Sequence, residues 1–269
     1  MASTINYAHY VGYNSVAAAV VFAVLYLPLL PWFLLQLFRG RSRLLVILSL
    51  FCAIRITAFV IRAYLCSSSS AGENLSLIIA DQVLFSVGFF GLLYGAYGLV
   101  MDRLDLCERK IDIPILRIAG NRNLFRLILL VAVVLGSVGS SKSADFSNPD
   151  DIKTGKTLHD VSTIIFLVLT VLQTLQTAVL IRAEGDETEY NGRATTSAGA
   201  KYGSFIFAAI SLLLLVRQVF FTATLSNLPK QNNEHFWYPL VATTEFICVV
   251  LFATPGLIPP KQNMKELPR

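Results

Sequence analysis

The sequence predicts an all-α, polytopic membrane protein. It reads as a single seven-helix domain over residues 1–269, with the N-terminus outside and the C-terminus cytoplasmic. Three observations predict this. Hydrophobic residues make up 55% of the chain and charged ones only 14%, against about 25% charged in soluble domains. The apolar residues gather into runs of about 20, long enough as helices to cross roughly 30 Å of hydrocarbon. The segments between runs also alternate in basic content, the pattern of the positive-inside rule.

The runs follow in order. The first covers about 12–38, with Pro28 and Pro31 placed to bend it. It is longer than a signal-peptide core and no Lys or Arg precedes it, so it reads as a span. The second, about 44–66, starts after "RGRSR"; the third, about 75–101, is "LSLIIADQVLFSVGFFGLLYGAYGLVM". The fourth, about 123–140, is the shortest. The fifth covers about 158–181, the sixth 202–225 and the seventh 236–258. The 141–157 and 182–200 segments read as solvated loops.

Orientation comes from the basic residues. Arg39, Arg41, Arg43, Arg103, Arg109, Lys110, Arg117, Arg122, Arg182, Arg193, Lys201, Lys261, Lys265 and Arg269 fall on one side. Lys142, Lys153, Lys156 and Lys230 fall on the other, a ratio of 14 to 4. The richer side faces the cytoplasm. The net charge of +5 is thus a topology signal, and no nucleic-acid partner is expected. Asn74-Leu75-Ser76 is a sequon on the outer side that abuts the third span.

Several chemistries lack their residues. No GxxxxGK[ST] phosphate loop is present, so no ATP engine is encoded. There is no HxxxH or HExxH, and His9, His159 and His235 are scattered along the outer rim, so no metal is expected. Cys52, Cys66, Cys107 and Cys248 form no CxxC pair, and only Cys66 lies near the outer face. The seventh span has no lysine for a retinal Schiff base. No nucleophile-base pair stands out, so neither an enzyme nor a cofactor is expected. "MDR" at Met101–Arg103 is similar to the acid-arginine pair of G-protein-coupled receptors, but reads as an ordinary interfacial charge pair.

The charges inside the spans are the informative feature. At about 1.5 Å per residue, Arg62 lies roughly 6 Å below the outer boundary and Arg55 roughly 16 Å. Asp81 and Gln82 lie about 9–11 Å down, Arg217 and Gln218 about 11–12 Å, and Glu245 about 14 Å. Asp160 sits at the outer mouth of the fifth span, whereas Arg126 is near enough to the inner edge to snorkel. Charges in lipid cost several kcal/mol, so such groups face the bundle interior and pair. Arg55 and Arg62 are seven apart and share a face. Asp81 shares one with Gly88, Gly91, Gly95 and Gly98, a small-residue strip suited to close helix packing. On the fifth span Asp160, Thr163, Thr170, Thr174 and Thr177 form an inward stripe beside Gln173. Two readings stand at this point: pairs that fix helix register, or an outward-facing polar cavity with an arginine clamp for a head group.

"LLLLVRQVFF" (212–221), "NEHFWYPL" (233–240) and "LFATPGLIPP" (251–260) resemble the fungal lipid-translocating exporter family, known for resistance to aminocholesterol. Arg217, Glu234, Tyr238, Pro255 and Gly256 match its pattern of a sixth-helix Arg, an acid and an aromatic opening the seventh helix, and a closing Pro-Gly. "ADQVLFSVGFFG" looks like its third helix. The family's Glu after the sixth-helix Arg is replaced by "FTAT", and Val241 stands where its seventh-helix Asp would be; Glu245 lies one turn deeper. The family's roles include sphingoid-base export, porphyrin uptake and tolerance of lipophilic drugs. The resemblance therefore implies seven helices with the N-terminus outside, a fungal source, and the handling of amphipathic molecules.

The expectation is a multi-pass protein, in the plasma membrane rather than an endomembrane, that binds or translocates an amphipathic lipid-like molecule without ATP. The alternative is a seven-helix receptor or sensor. Membrane lipids and the amphipathic molecule are the expected partners, and oligomeric state stays open. The candidate ligand-binding cluster is Arg55, Arg62, Asp81, Gln82, Asp160, Gln173, Arg217, Gln218, Tyr238 and Glu245.

Overall fold

A computed structural model describes residues 6–40, 42–105, 120–143, 149–191 and 202–258. Arg41, Cys107, Arg109, Lys110, Arg117, Arg193, Lys201, Lys261, Lys265 and Arg269 lie outside the described residues, as do Pro259 and Pro260. Among the described residues, seven helices are long and apolar enough to cross a membrane. They are Val16–Arg39 (span 1), Arg43–Ser67 (span 2), Leu75–Leu104 (span 3), Arg122–Ser143 (span 4), Asp150–Glu184 (span 5), Gly203–Ala223 (span 6) and Glu234–Phe252 (span 7). No strand occurs among the described residues. The protein is an all-α multi-pass membrane protein.

Local chemistry explains most of the helix ends. Side-chain oxygens of Ser15, Asn74 and Asn233 accept backbone N–H groups of Ala18, Leu77 and His235, capping spans 1, 3 and 7. The sequon asparagine is thus itself a helix cap. Span 1 is two helices, Val16–Tyr26 and Leu29–Arg39, broken at Leu27-Pro28. Pro28 has no N–H to continue the ladder, whereas Pro31 falls in the first turn of the second piece, where none is needed. In span 7 Pro239 stands in a π-helical segment, Tyr238–Ala242, where the Thr243 N–H reaches back five residues to the Tyr238 carbonyl.

Two sequence readings need correction. The fourth span, at 22 residues, is not the shortest; span 7 has 19. The segments flanking span 5 are not wholly loops, because one helix runs from Pro149 to Asn191, 43 residues. At about 1.5 Å per residue it is roughly 64 Å long, twice the hydrocarbon thickness. Its start carries the ordinary signals, a proline at the first position and Asp150 and Asp151 in the first turn. Those polar turns fall outside any apolar window.

The bundle is apolar outside as well as within. Phe38 is 85% exposed and Phe205 76%, as suits a surface that meets lipid rather than water. The core is dense in aromatics: Tyr26, Phe33, Phe51, Phe59, Phe89, Tyr97, Phe207 and Phe252 are buried. Span 2 packs against spans 1 and 3, spans 4 and 5 form a hairpin, and span 6 lies against spans 5 and 7.

Small residues bring two of these pairs close. A Cβ on Gly88 would sit 2.8 Å from the Arg55 guanidinium carbon, and one on Gly95 2.9 Å from a Leu44 methyl. Gly91 makes only ordinary contact with Ile47, and Gly98 has nothing within 4 Å. The strip is therefore tight at two of its four positions. A second approach, between spans 4 and 5, was not singled out in the sequence. A Cβ on Gly139 would lie 2.7 Å from the His159 nitrogen.

Candidate functional site

The intramembrane charges form two clusters toward the end of the bundle that carries the short helix Tyr7–Val11. Arg62, on span 2, donates from Nη2 to Asp81 Oδ2 on span 3 at 2.7 Å and from Nε to the same oxygen at 3.2 Å. Tyr13, just ahead of span 1, donates its hydroxyl to that oxygen at 2.9 Å and accepts from Arg62 Nη2 at 3.1 Å. Burial raises the Tyr13 phenol well above its ordinary value, partly offset by the Arg62 cation, so it stays a donor. The Arg62 guanidinium lies 3.8 Å from the Trp237 ring centre and 4.3 Å from that of Tyr13. This cluster has one cation and one anion.

The second cluster lies two turns deeper. Arg55 is fully buried, and its Nη2 is 2.8 Å from both oxygens of Glu245 on span 7. It also donates to the Phe85 carbonyl at 3.1 Å and from Nη1 to the Leu84 carbonyl at 3.3 Å. The absence of a side chain at Gly88 leaves the guanidinium room to reach those carbonyls. Arg217, on span 6, donates from Nε to the same Glu245 carboxylate at 2.8 Å and from Nη1 to Gln218 Oε1 at 3.2 Å. Gln218 in turn donates to the Thr163 carbonyl of span 5. The Arg217 guanidinium lies over the rings of Phe89 at 3.7 Å and Phe221 at 4.6 Å. Two cations thus share one buried carboxylate.

Beside these clusters lies a cavity of about 500 Å³. Its rim includes Tyr7, Leu75, Ile152 and Asn232 at the helix ends, and its floor includes Phe89 and Arg217. Phe89 is 14 residues along span 3 from Leu75, about 21 Å of helix. Most of the wall surface is apolar, with Phe85, Phe89, Phe166 and Phe221 at its depth, and polar side chains such as Arg62, Lys156, Asp160 and Arg217 are interspersed. This balance is typical of small-molecule sites, whose volumes run from about 300 to 1,000 Å³.

The predicted residues divide accordingly. Arg62, Gln82, Asp160, Arg217 and Gln218 line the cavity. Arg55, Asp81 and Glu245 do not: Asp81 and Glu245 stand behind the wall as partners of the lining Arg62 and Arg217, and Arg55 pairs with Glu245. Tyr238 is buried, stacks on Phe22 and meets Trp237 edge-on, outside the cavity lining. Gln173 lies at a separate polar contact between spans 5 and 6, donating to Ser211 at 2.9 Å and Thr177 at 3.1 Å. Thr163, Thr170, Thr174 and Thr177 bond back to carbonyls one turn earlier. Glu234 accepts the Asn14 and Ser15 N–H groups and so ties the start of span 7 to the start of span 1.

Sequence reasoning passed over Tyr13, Lys156 and the aromatic floor. Tyr13 falls at the very start of the 12–38 run, where an aromatic reads as part of an interfacial belt. Lys156 fell in a segment read as loop, although the helix that carries it brings it to the cavity. Among the described residues no three His, Cys, Asp or Glu side chains converge as metal ligands. His159 lines the cavity, while His9 and His235 are exposed apart from it.

The opposite end of the bundle is tied by ion pairs. Arg103 approaches Glu184 of span 5 at 3.6 Å and donates to the Leu257 carbonyl beyond span 7. Arg122 at the start of span 4 bonds Asp102 and Asp105 at 2.5 and 2.6 Å. The "MDR" residues thus split their charges between two neighbouring helices.

A family model described as a domain of unknown function, DUF7702, matches residues 10–189. The match takes in spans 1 to 5 and ends before 212–260, where the likeness to the exporter family lies. No curated protein and no solved structure matches the chain.

Proposed function

The chain belongs to the DUF7702 family, a domain of unknown function, and we propose that this member binds or translocates an amphipathic, lipid-like molecule without ATP. The observation that carries the reading is the cavity itself. It is about 500 Å³, most of its wall surface is apolar, and the Arg217 guanidinium and Gln218 stand at its floor. An amphipathic molecule satisfies both, its hydrocarbon on the wall and its head at the polar floor. The resemblance of 212–260 to lipid-translocating exporters supports the same class of cargo and a fungal source. The 14-to-4 distribution of basic residues supports an N-out orientation, which opens the cavity to the outside, and the plasma membrane is the proposed location. No catalytic role is proposed.

The test uses the purified full chain in detergent and in proteoliposomes. A fluorescent long-chain amphiphile should bind saturably and cross the vesicle membrane faster than in protein-free vesicles. Saturable binding with no added flux would replace the transport reading with the receptor alternative. No saturable binding would remove both.

A further inference from the structure

We infer that the head group this cavity accepts is an anion, a phosphate or carboxylate carried on a single hydrocarbon chain, seated at Arg217. The inference rests on the amphiphile reading above and adds the sign of the charge. Arg62 on the wall is answered by Asp81 at 2.7 Å. Arg217 has only a share of Glu245, because Arg55 Nη2 lies 2.8 Å from both oxygens of that carboxylate and donates to the same Oε1 as Arg217. Lys156 adds a cation toward the mouth, and Asp160 is the one acid in the lining among the described residues. Counting lining groups and their partners, the site carries one positive charge in excess.

A surplus cation in a low-dielectric interior is costly, and an anion at the floor relieves it. Arg217 is also shaped for the task. Its bonds among the described residues use Nε and Nη1, which leaves Nη2 for a ligand. The rings of Phe89 and Phe221 pack against the guanidinium, so its donors are preorganised. Gln82, on the same wall, has an amide within the cavity to serve as a neutral donor. The volume suits one chain and is small for a two-chain phospholipid.

The test compares probes with one chain and different heads: hexadecyl phosphate, hexadecanol and hexadecylamine, with inorganic phosphate as the chainless arm. Binding is measured on purified full-length protein, alongside Arg217→Gln and Gln218→Glu. Arg217→Gln leaves Arg55 and Glu245 as a balanced pair, so it should fold. Gln218→Glu keeps the arginine but supplies a neighbouring carboxylate that competes with the ligand. Hexadecyl phosphate should bind at least tenfold tighter than hexadecanol, and both variants should erase most of that margin. Equal binding of the phosphate and the alcohol, or tightest binding of the amine, overturns the anionic head group and leaves the amphiphile reading standing. Inorganic phosphate binding as tightly as hexadecyl phosphate overturns the single-chain ligand in favour of a free anion. If no chain-bearing probe binds the wild-type protein, the amphiphile reading fails and this inference with it.

Discussion

The two buried charge clusters use the same residue types and differ in balance. Around Asp81, one arginine meets one carboxylate and a tyrosine closes the triangle. Around Glu245, two arginines converge on one carboxylate, and one of them reaches an open cavity. A balanced buried pair contributes little net stability and mainly fixes which helices meet, whereas its disruption is expensive. The unbalanced cluster retains attraction for something outside the protein. The number of charges is thus less telling than the ratio within each group.

The largest effect that would sharpen this contrast is at Glu245. Glu245→Gln should leave two close guanidinium groups with no counter-ion and destabilise the protein by about 3–5 kcal/mol, read by unfolding in detergent. Asp81→Asn should cost less, about 2–3 kcal/mol, because Arg62 keeps its ring contacts and borders the cavity. If Asp81→Asn proves the more damaging, the contrast breaks. Gly88→Ala comes next. The new methyl would displace a guanidinium pinned by Glu245 and two carbonyls, costing about 1–3 kcal/mol. Gly98→Ala, with open space around it, should be neutral or gain up to about 1 kcal/mol in the same assay. The smallest effect belongs to the far end. Arg122→Gln removes a pair whose arginine is 43% exposed, and should change stability by under about 1 kcal/mol.

How much of this was legible in the sequence follows from the physics of each feature. Seven apolar runs mark seven helices because hydrocarbon tolerates no unpaired backbone. The seven-residue spacing of Arg55 and Arg62 placed both on one face, and both side chains are buried. That Glu245 stands between Arg55 and Arg217 depends on which helices pack together, and no periodicity within one helix encodes it. The cavity was equally out of reach, being an absence of packing among spans 2 to 7 and the N-terminal segment. The ends of the long fifth helix were legible and passed over, since Pro149, Asp150 and Asp151 are a helix start written in polar residues.

That helix has a mechanical consequence. It is unbroken from Pro149 to Asn191, with Asp160 on the cavity wall and Glu184 in the ion pair with Arg103. The two are 24 residues apart, about 36 Å along a single rod. Span 1 and span 7 can flex where proline interrupts them, but this helix has no such joint. A tilt imposed at one end is carried to the other as on a lever, so the wall of the cavity and the clasp on the far face share one moving part.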